Sequence, residues 1–134
     1  MYEVRNDVPA RTMYVTMRGL LRLEEMQRCA AALRAASDAF EGRPHLCLAV
    51  MKGLTVMDPE AAQVLRESIA YTRERGVVLC AHVVDTTLVR LQALRIGIQA
   101  SGPDATIDCT SVEEAERVLA HYRKQLEAAA AAGS

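Results

Sequence analysis

Asp58, Asp85 and Asp108 each stand near the end of an apolar stretch, so a parallel sheet would carry all three to one edge. Carboxylates gathered there would form an acidic pocket for a divalent cation or a phospho-acceptor site. Asp58 and Asp85 also precede helical periodicity, where an aspartate accepts from the free amides of a first turn and needs no ligand to explain it. His82, inside the apolar run Val77–Val84, is the one histidine placed to act as a general base. It has no partner at a fixed spacing, which is the pattern of a hydrogen-bonded core residue. His45 and His121 have less support still. Cys29, Cys47, Cys80 and Cys109 are scattered, with no C-x-x-C pair and no zinc spacing, so they read as free thiols in a reducing compartment. G-x-G-x-x-G, G-x-x-x-x-G-K-[ST] and G-x-S-x-G are all missing. Neither a dinucleotide or phosphate loop nor the nucleophile elbow of a hydrolase has a candidate.

The elements that would position these residues follow from period and punctuation. Tyr2–Val8 alternates, Pro9-Ala10-Arg11 breaks it, and Met13–Met17 alternates again before Gly19, which predicts an opening hairpin. From Glu24 the step becomes three and four residues through Met26, Ala30, Leu33, Ser37 and Phe40, ended by Gly42 and Pro44: a first helix. His45–Met51 is apolar without alternation, as in a strand covered on both faces. Asp58-Pro59 opens a second helix, with Ala61, Ala62, Leu65, Ile69 and Thr72 inward and Glu60, Gln63, Glu67, Tyr71 and Glu74 outward. Val77–Val84 is a second buried-type strand. Asp85-Thr86-Thr87 caps a third helix whose periodic residues are Leu88, Leu91, Leu94 and Ile98, with Gly97 loosening its last turn. Ala105–Asp108 suffices for a short edge strand, and Ser111-Val112-Glu113-Glu114 is a capping box before a last helix buried through Ala115, Val118, Leu119, Tyr122 and Leu126. An Ala-rich tail, 127–134, reads as frayed helix or extraneous sequence.

The 134 residues therefore predict one α/β domain over 2–126, with a mostly parallel five-stranded sheet, an antiparallel amino-terminal edge strand and four helices. Ligands of such sheets bind at the carboxyl ends of the strands, here Lys52, Thr55, Asp58, Asp85, Thr86, Asp108 and Thr110. Sixteen Lys and Arg against 17 Asp and Glu leave a net charge of −1, with no cationic excess for a phosphate backbone or anionic lipid. No Trp and one Phe leave few platforms for stacking bases. Nucleic acid and membrane are excluded as expected partners, and the amino terminus lacks the apolar stretch of a signal peptide, which predicts a cytoplasmic protein.

Four stretches carry a family resemblance: the opening strands; the apolar strand entering Gly53-Leu54-Thr55-Val56-Met57-Asp58 and a helix; Arg75-Gly76-Val77-Val78-Leu79 at the next strand; and Ser111-Val112-Glu113-Glu114-Ala115 before the last helix. In this order the chain resembles a STAS domain, the domain of anti-sigma factor antagonists and sulfate transporters, over about residues 2–126. The resemblance implies a βα superhelix and a regulatory role without enzymatic activity or cofactor, binding a protein such as an anti-sigma factor or kinase-like regulator. In the antagonists the aspartate matching Asp58 is followed by a phosphorylatable serine; here Pro59, Glu60 and Ala61 follow, so that switch is missing at its usual position. Thr55 is the nearest substitute hydroxyl, and Glu60 would supply a constant negative charge.

The expected contact surface is the Asp58 loop with the outer face of the second helix: Thr55, Asp58, Glu60, Gln63, Glu67 and Tyr71. The i+4 neighbours of Glu60 and Glu67 are Val64 and Tyr71, not cations, which leaves the carboxylates uncompensated along the helix. The competing class is a small-ligand-binding domain or minor enzyme working at the strand-end edge. A homodimer is a third reading, on the premise that helices gathered on one sheet face leave the other for a second subunit.

Overall fold

A computed structural model describes residues 1–133 as strands β1 (Tyr2–Asp7), β2 (Thr12–Met17), β3 (His45–Met51), β4 (Val77–Val84) and β5 (Thr106–Cys109), with helices α1 (Leu23–Asp38), α2 (Pro59–Glu74), α3 (Thr87–Ser101) and α4 (Val112–Ala132). The five strands lie side by side in chain order; β1 is antiparallel to β2 and all later pairs are parallel. This is the predicted α/β architecture.

The unalternating runs of β3 and β4 are explained by cover on both faces. Cys47, Ala49 and Met51 point to the side of α1, α2 and α3, where they join Met26, Leu33, Leu65 and Ile96. Leu46, Leu48, Leu79, Ala81 and Val83 point the other way and pack on Ala115 and Leu119 of α4. The premise of an uncovered sheet face is thereby corrected, because α4 crosses back to β3, β4 and β5. Of its expected stripe only Ala115 and Leu119 are fully buried; Val118, Tyr122 and Leu126 lie along its margin. The Ala-rich tail continues α4 as far as Ala132.

The junction of α1 with β3 is the most polar part of the core. His45 is fully buried, stacks on Phe40 with ring centroids 4.1 Å apart, and meets Ser37 Oγ through Nε2 at 2.8 Å. Its Nδ1 lies 2.7 Å from the Arg43 carbonyl, which can only accept. The ring proton is therefore on Nδ1, and the Ser37 hydroxyl donates to Nε2. Burial holds the His45 pKa below the usual histidine value. Gly76 completes the corner with φ +120, since a Cβ there would stand 2.7 Å from the Arg43 oxygen.

Three local expectations are overturned. Asp58 occupies the N-cap position of α2 with extended backbone, but its side chain makes no cap bond; Thr86 does the same for α3. At α4, Ser111 Oγ accepts from Glu114 N at 3.1 Å as expected, while the Glu114 carboxylate passes the box and takes the Thr110 amide at 2.9 Å. Gly97 does not loosen α3: it is buried mid-helix, where a Cβ would come 2.9 Å from Thr106 Oγ1, so its bareness lets α3 approach β5.

Candidate functional site

The strand-end edge is built by loops that hold one another. Gly19 N donates to Gly53 O and Thr55 N to Gly19 O, each at 2.9 Å, pinning the loop after β3 to the segment after β2. Asp85 reaches sideways instead of capping α3, its Oδ2 accepting from Gly53 N at 3.0 Å. Gln92 of α3 then clamps the same loop, accepting from Met57 N and donating to Met57 O, both at 2.8 Å. Thr55, Asp58 and Lys52 are exposed on this loop.

The three aspartates do not converge. Asp58 faces solvent, Asp85 is spent on Gly53, and Asp108 lies under α3 beside His82 and Arg90. Among the described residues no group of three His, Cys, Asp or Glu is arranged to hold a metal ion. The four cysteines are free, although Cys47 and Cys80 face each other directly across β3 and β4.

The outer face of α2 is more occupied than the sequence suggested. Gln63 donates to Glu67 Oε1 at 3.0 Å and accepts from Arg66, so Glu67 belongs to a short polar lattice. Tyr71 is half-buried, its hydroxyl 2.9 Å from Asp38 Oδ1 on α1, and Arg75 pairs with the same carboxylate at 3.0 Å. The expected outward Tyr71 anchor is corrected to an interhelical tie. Glu60 remains exposed at the start of the helix.

Helix α3 reverses the expected side. It buries Val89, Ala93, Ile96 and Gly97, while Leu88, Leu91 and Ile98 are 70%, 59% and 52% exposed. Beside them Val56 is 43% exposed on the loop that Gln92 clamps. These residues form an apolar strip running from the strand-end loops down α3. It carries the exposed Arg95 and no acidic residue. Two leucines and an isoleucine facing solvent from one helix are the kind of surface that marks association.

Sequence reasoning missed the cluster behind α3. Parallel pairing sets His82 opposite Asp108. His82 Nε2 is 3.0 Å from Asp108 Oδ1, and Arg90 Nε is 3.0 Å from Asp108 Oδ2, both off the line of a good hydrogen bond. Desolvation lowers the His82 pKa, outweighing the opposing pull of Asp108, so the ring is neutral near pH 7. An oriented imidazole beside a carboxylate is two parts of a proton-transfer triad, but no hydroxyl or thiol bonds to the ring among the described residues. The available signal was the placement of Asp108 on a short strand that had to pair with His82's strand.

No family model, no curated protein and no solved structure matches this chain. Among the described residues, no helix is long and apolar enough to cross a membrane.

Proposed function

We propose that this protein is a non-enzymatic, STAS-like protein-interaction module that works without the serine phosphorylation switch. The order of its elements, with one antiparallel edge strand and a loop-to-helix junction at Asp58-Pro59, supports the STAS-like reading. The observation that carries an interaction role is the exposed strip of Leu88, Leu91 and Ile98 beside Val56. Covering a leucine fully stabilises by about 1.5–3 kcal/mol, so three residues already half covered or less offer roughly 3–6 kcal/mol to a partner. The surface thus joins the Asp58 loop to α3, with Thr55, Asp58 and Glu60 at its edge and Gln63, Glu67 and Tyr71 on the neighbouring helix.

The partner belongs to the class that binds such domains, an anti-sigma factor or kinase-like regulator, and the site of action is the cytoplasm. At the strand ends Asp85 is spent on Gly53 and Glu114 on Thr110, and the three aspartates do not converge, which favours the interaction reading over a small ligand at that edge. The test is affinity capture from the native cell with the wild type and with Leu88→Asp/Leu91→Asp. Loss of a specific co-purifying protein, at unchanged thermal stability, supports the reading; capture of the same protein by both refutes it.

A further inference from the structure

At the amino-terminal ends of the parallel strands, the turn after β1 and the loop after α1 enclose a hollow of about 310 Å³ lined by Val8, Pro9, Arg11, Phe40 and Arg43. That is twice the ~150 Å³ that holds a benzene. Hydrogen bonds fix its frame on both sides. Leu46 N donates to Arg11 O at 2.7 Å, tying the turn to the start of β3, and Arg11 N closes the turn on Val8 O at 3.0 Å. Arg43 N closes the opposite loop on Phe40 O at 3.0 Å. Phe40 is 1% exposed and held by its stack on His45, so the floor is apolar and well supported.

The same two loops carry the strained backbone of the chain. Arg11 at φ +51 and Glu41 at φ +55 are the only non-glycine residues in the left-handed region among the described residues. The backbone at such a turn position favours glycine, so an arginine there strains the chain and supplies a side chain that glycine would not; strain of this kind gathers at ligand clamps. The half-buried Arg11 has no side-chain hydrogen bond or ion pair among the described residues. Arg43 Nε donates to Phe40 O at 2.8 Å, which holds its guanidinium at the edge of the floor and leaves both Nη groups without a partner among the described residues. Arg123 of α4 backs the turn, bonded to Ala10 O at 2.7 Å and Thr12 Oγ1 at 3.1 Å. Against these three cations stand Asp7, whose Oδ1 accepts from Ala10 N at 3.1 Å, and the exposed Glu41; Asp38 nearby is taken up by Arg75. One positive charge is left over, and the lining holds no carboxylate.

We propose that this hollow binds a small organic acid, one carboxylate on an apolar ring or branched body, with the carboxylate on Arg11 and Arg43 and the body on Val8, Pro9 and Phe40. Guanidinium matches a carboxylate with paired N–H donors, and such charge-assisted bonds are the strong ones. A monoanion answers the single excess charge, whereas a bare phosphate dianion overshoots it and leaves the apolar part of the lining uncovered. The site lies by the β1–β2 turn, away from the Asp58 loop and the α3 strip, so it does not depend on the interaction reading.

The test titrates the full chain, isotope-labelled for NMR, with benzoate, with the neutral benzamide and with inorganic phosphate at one ionic strength. Signals of residues 8–11 and 40–43 should shift saturably with benzoate, which should bind roughly tenfold or more tightly than either benzamide or phosphate. Arg11→Gly should abolish the benzoate response while thermal stability holds or rises, because glycine suits φ +51. Arg43→Lys keeps the charge, loses the planar fork and should weaken binding several-fold. Absence of saturable benzoate shifts, benzamide or phosphate binding as tightly as benzoate, or an undiminished response in Arg11→Gly overturns the proposal.

Discussion

Replacing Ser37 by Ala should unsettle the core more than its small size suggests. The hydroxyl is fully buried and is the donor to His45 Nε2, while Nδ1 is held by the Arg43 carbonyl. Alanine leaves Nε2 dry and unpaired, which costs about 1–3 kcal/mol, a large share of the roughly 5–15 kcal/mol that holds a domain folded. The same pair sets a pH dependence. Burial keeps the folded-state pKa of His45 below the ordinary histidine value, and that of His82 likewise. Above the ordinary value both states are neutral and the full stability is present. As pH falls through it, the unfolded chain takes up protons first and stability declines, until the folded protein protonates as well. The slope in that window is at most about 1.4 kcal/mol per pH unit for each histidine. Urea denaturation of wild type and Ser37→Ala at pH 7.5, 6.5 and 5.5 measures both effects. A variant within 0.5 kcal/mol of wild type, a bound set well below the ~1–3 kcal/mol expected, or a wild type whose stability rises on acidification over this range, would refute the reasoning.

Asp58→Ala should change unfolding free energy by less than about 0.5 kcal/mol, since the side chain caps nothing, whereas Asp85→Ala loses the Gly53 bond and costs about 1 kcal/mol; paired denaturation curves decide this. Alkylation in denaturant without reductant should modify all four cysteines by intact mass. Under native conditions Cys80, half-buried, should react ahead of Cys29, whose thiol burial pushes up to about 12, and a disulfide between any two would contradict this. Incubation with ATP and an anti-sigma-type kinase should leave residues 58–61 unmodified by phosphopeptide mapping, because none carries a hydroxyl; phosphate on the exposed Thr55 would restore a displaced switch.

Strand and helix positions were legible because burial imposes periods of 2 and 3.6 on these elements, and the double cover of β3 and β4 showed as unalternating apolar runs. The orientation of α3 was not legible for a physical reason. Leu88, Val89, Leu91, Ala93, Leu94, Ile96 and Ile98 surround the helix, so periodicity does not single out an inner side. Packing took Val89, Ala93, Ile96 and Gly97 for the interior and left Leu88, Leu91 and Ile98 outside. Asp85, Tyr71 and Asp108 were misjudged for a second reason: their partners Gly53, Asp38 and His82 are each more than twenty residues away. Local propensity sees a cap or a solvated face at such positions, while register and helix crossing decide the contact. Asp58 shows the converse, with the right residue and backbone for a cap and a side chain that points to water.

The interaction surface is tested most directly by hydrogen exchange on the protein bound to its captured partner. The account predicts slowed exchange in residues 86–98 and in the 52–58 loop, with the exposed face of α4 unchanged. Protection confined to α4, or to the 60–74 segment alone, would contradict it.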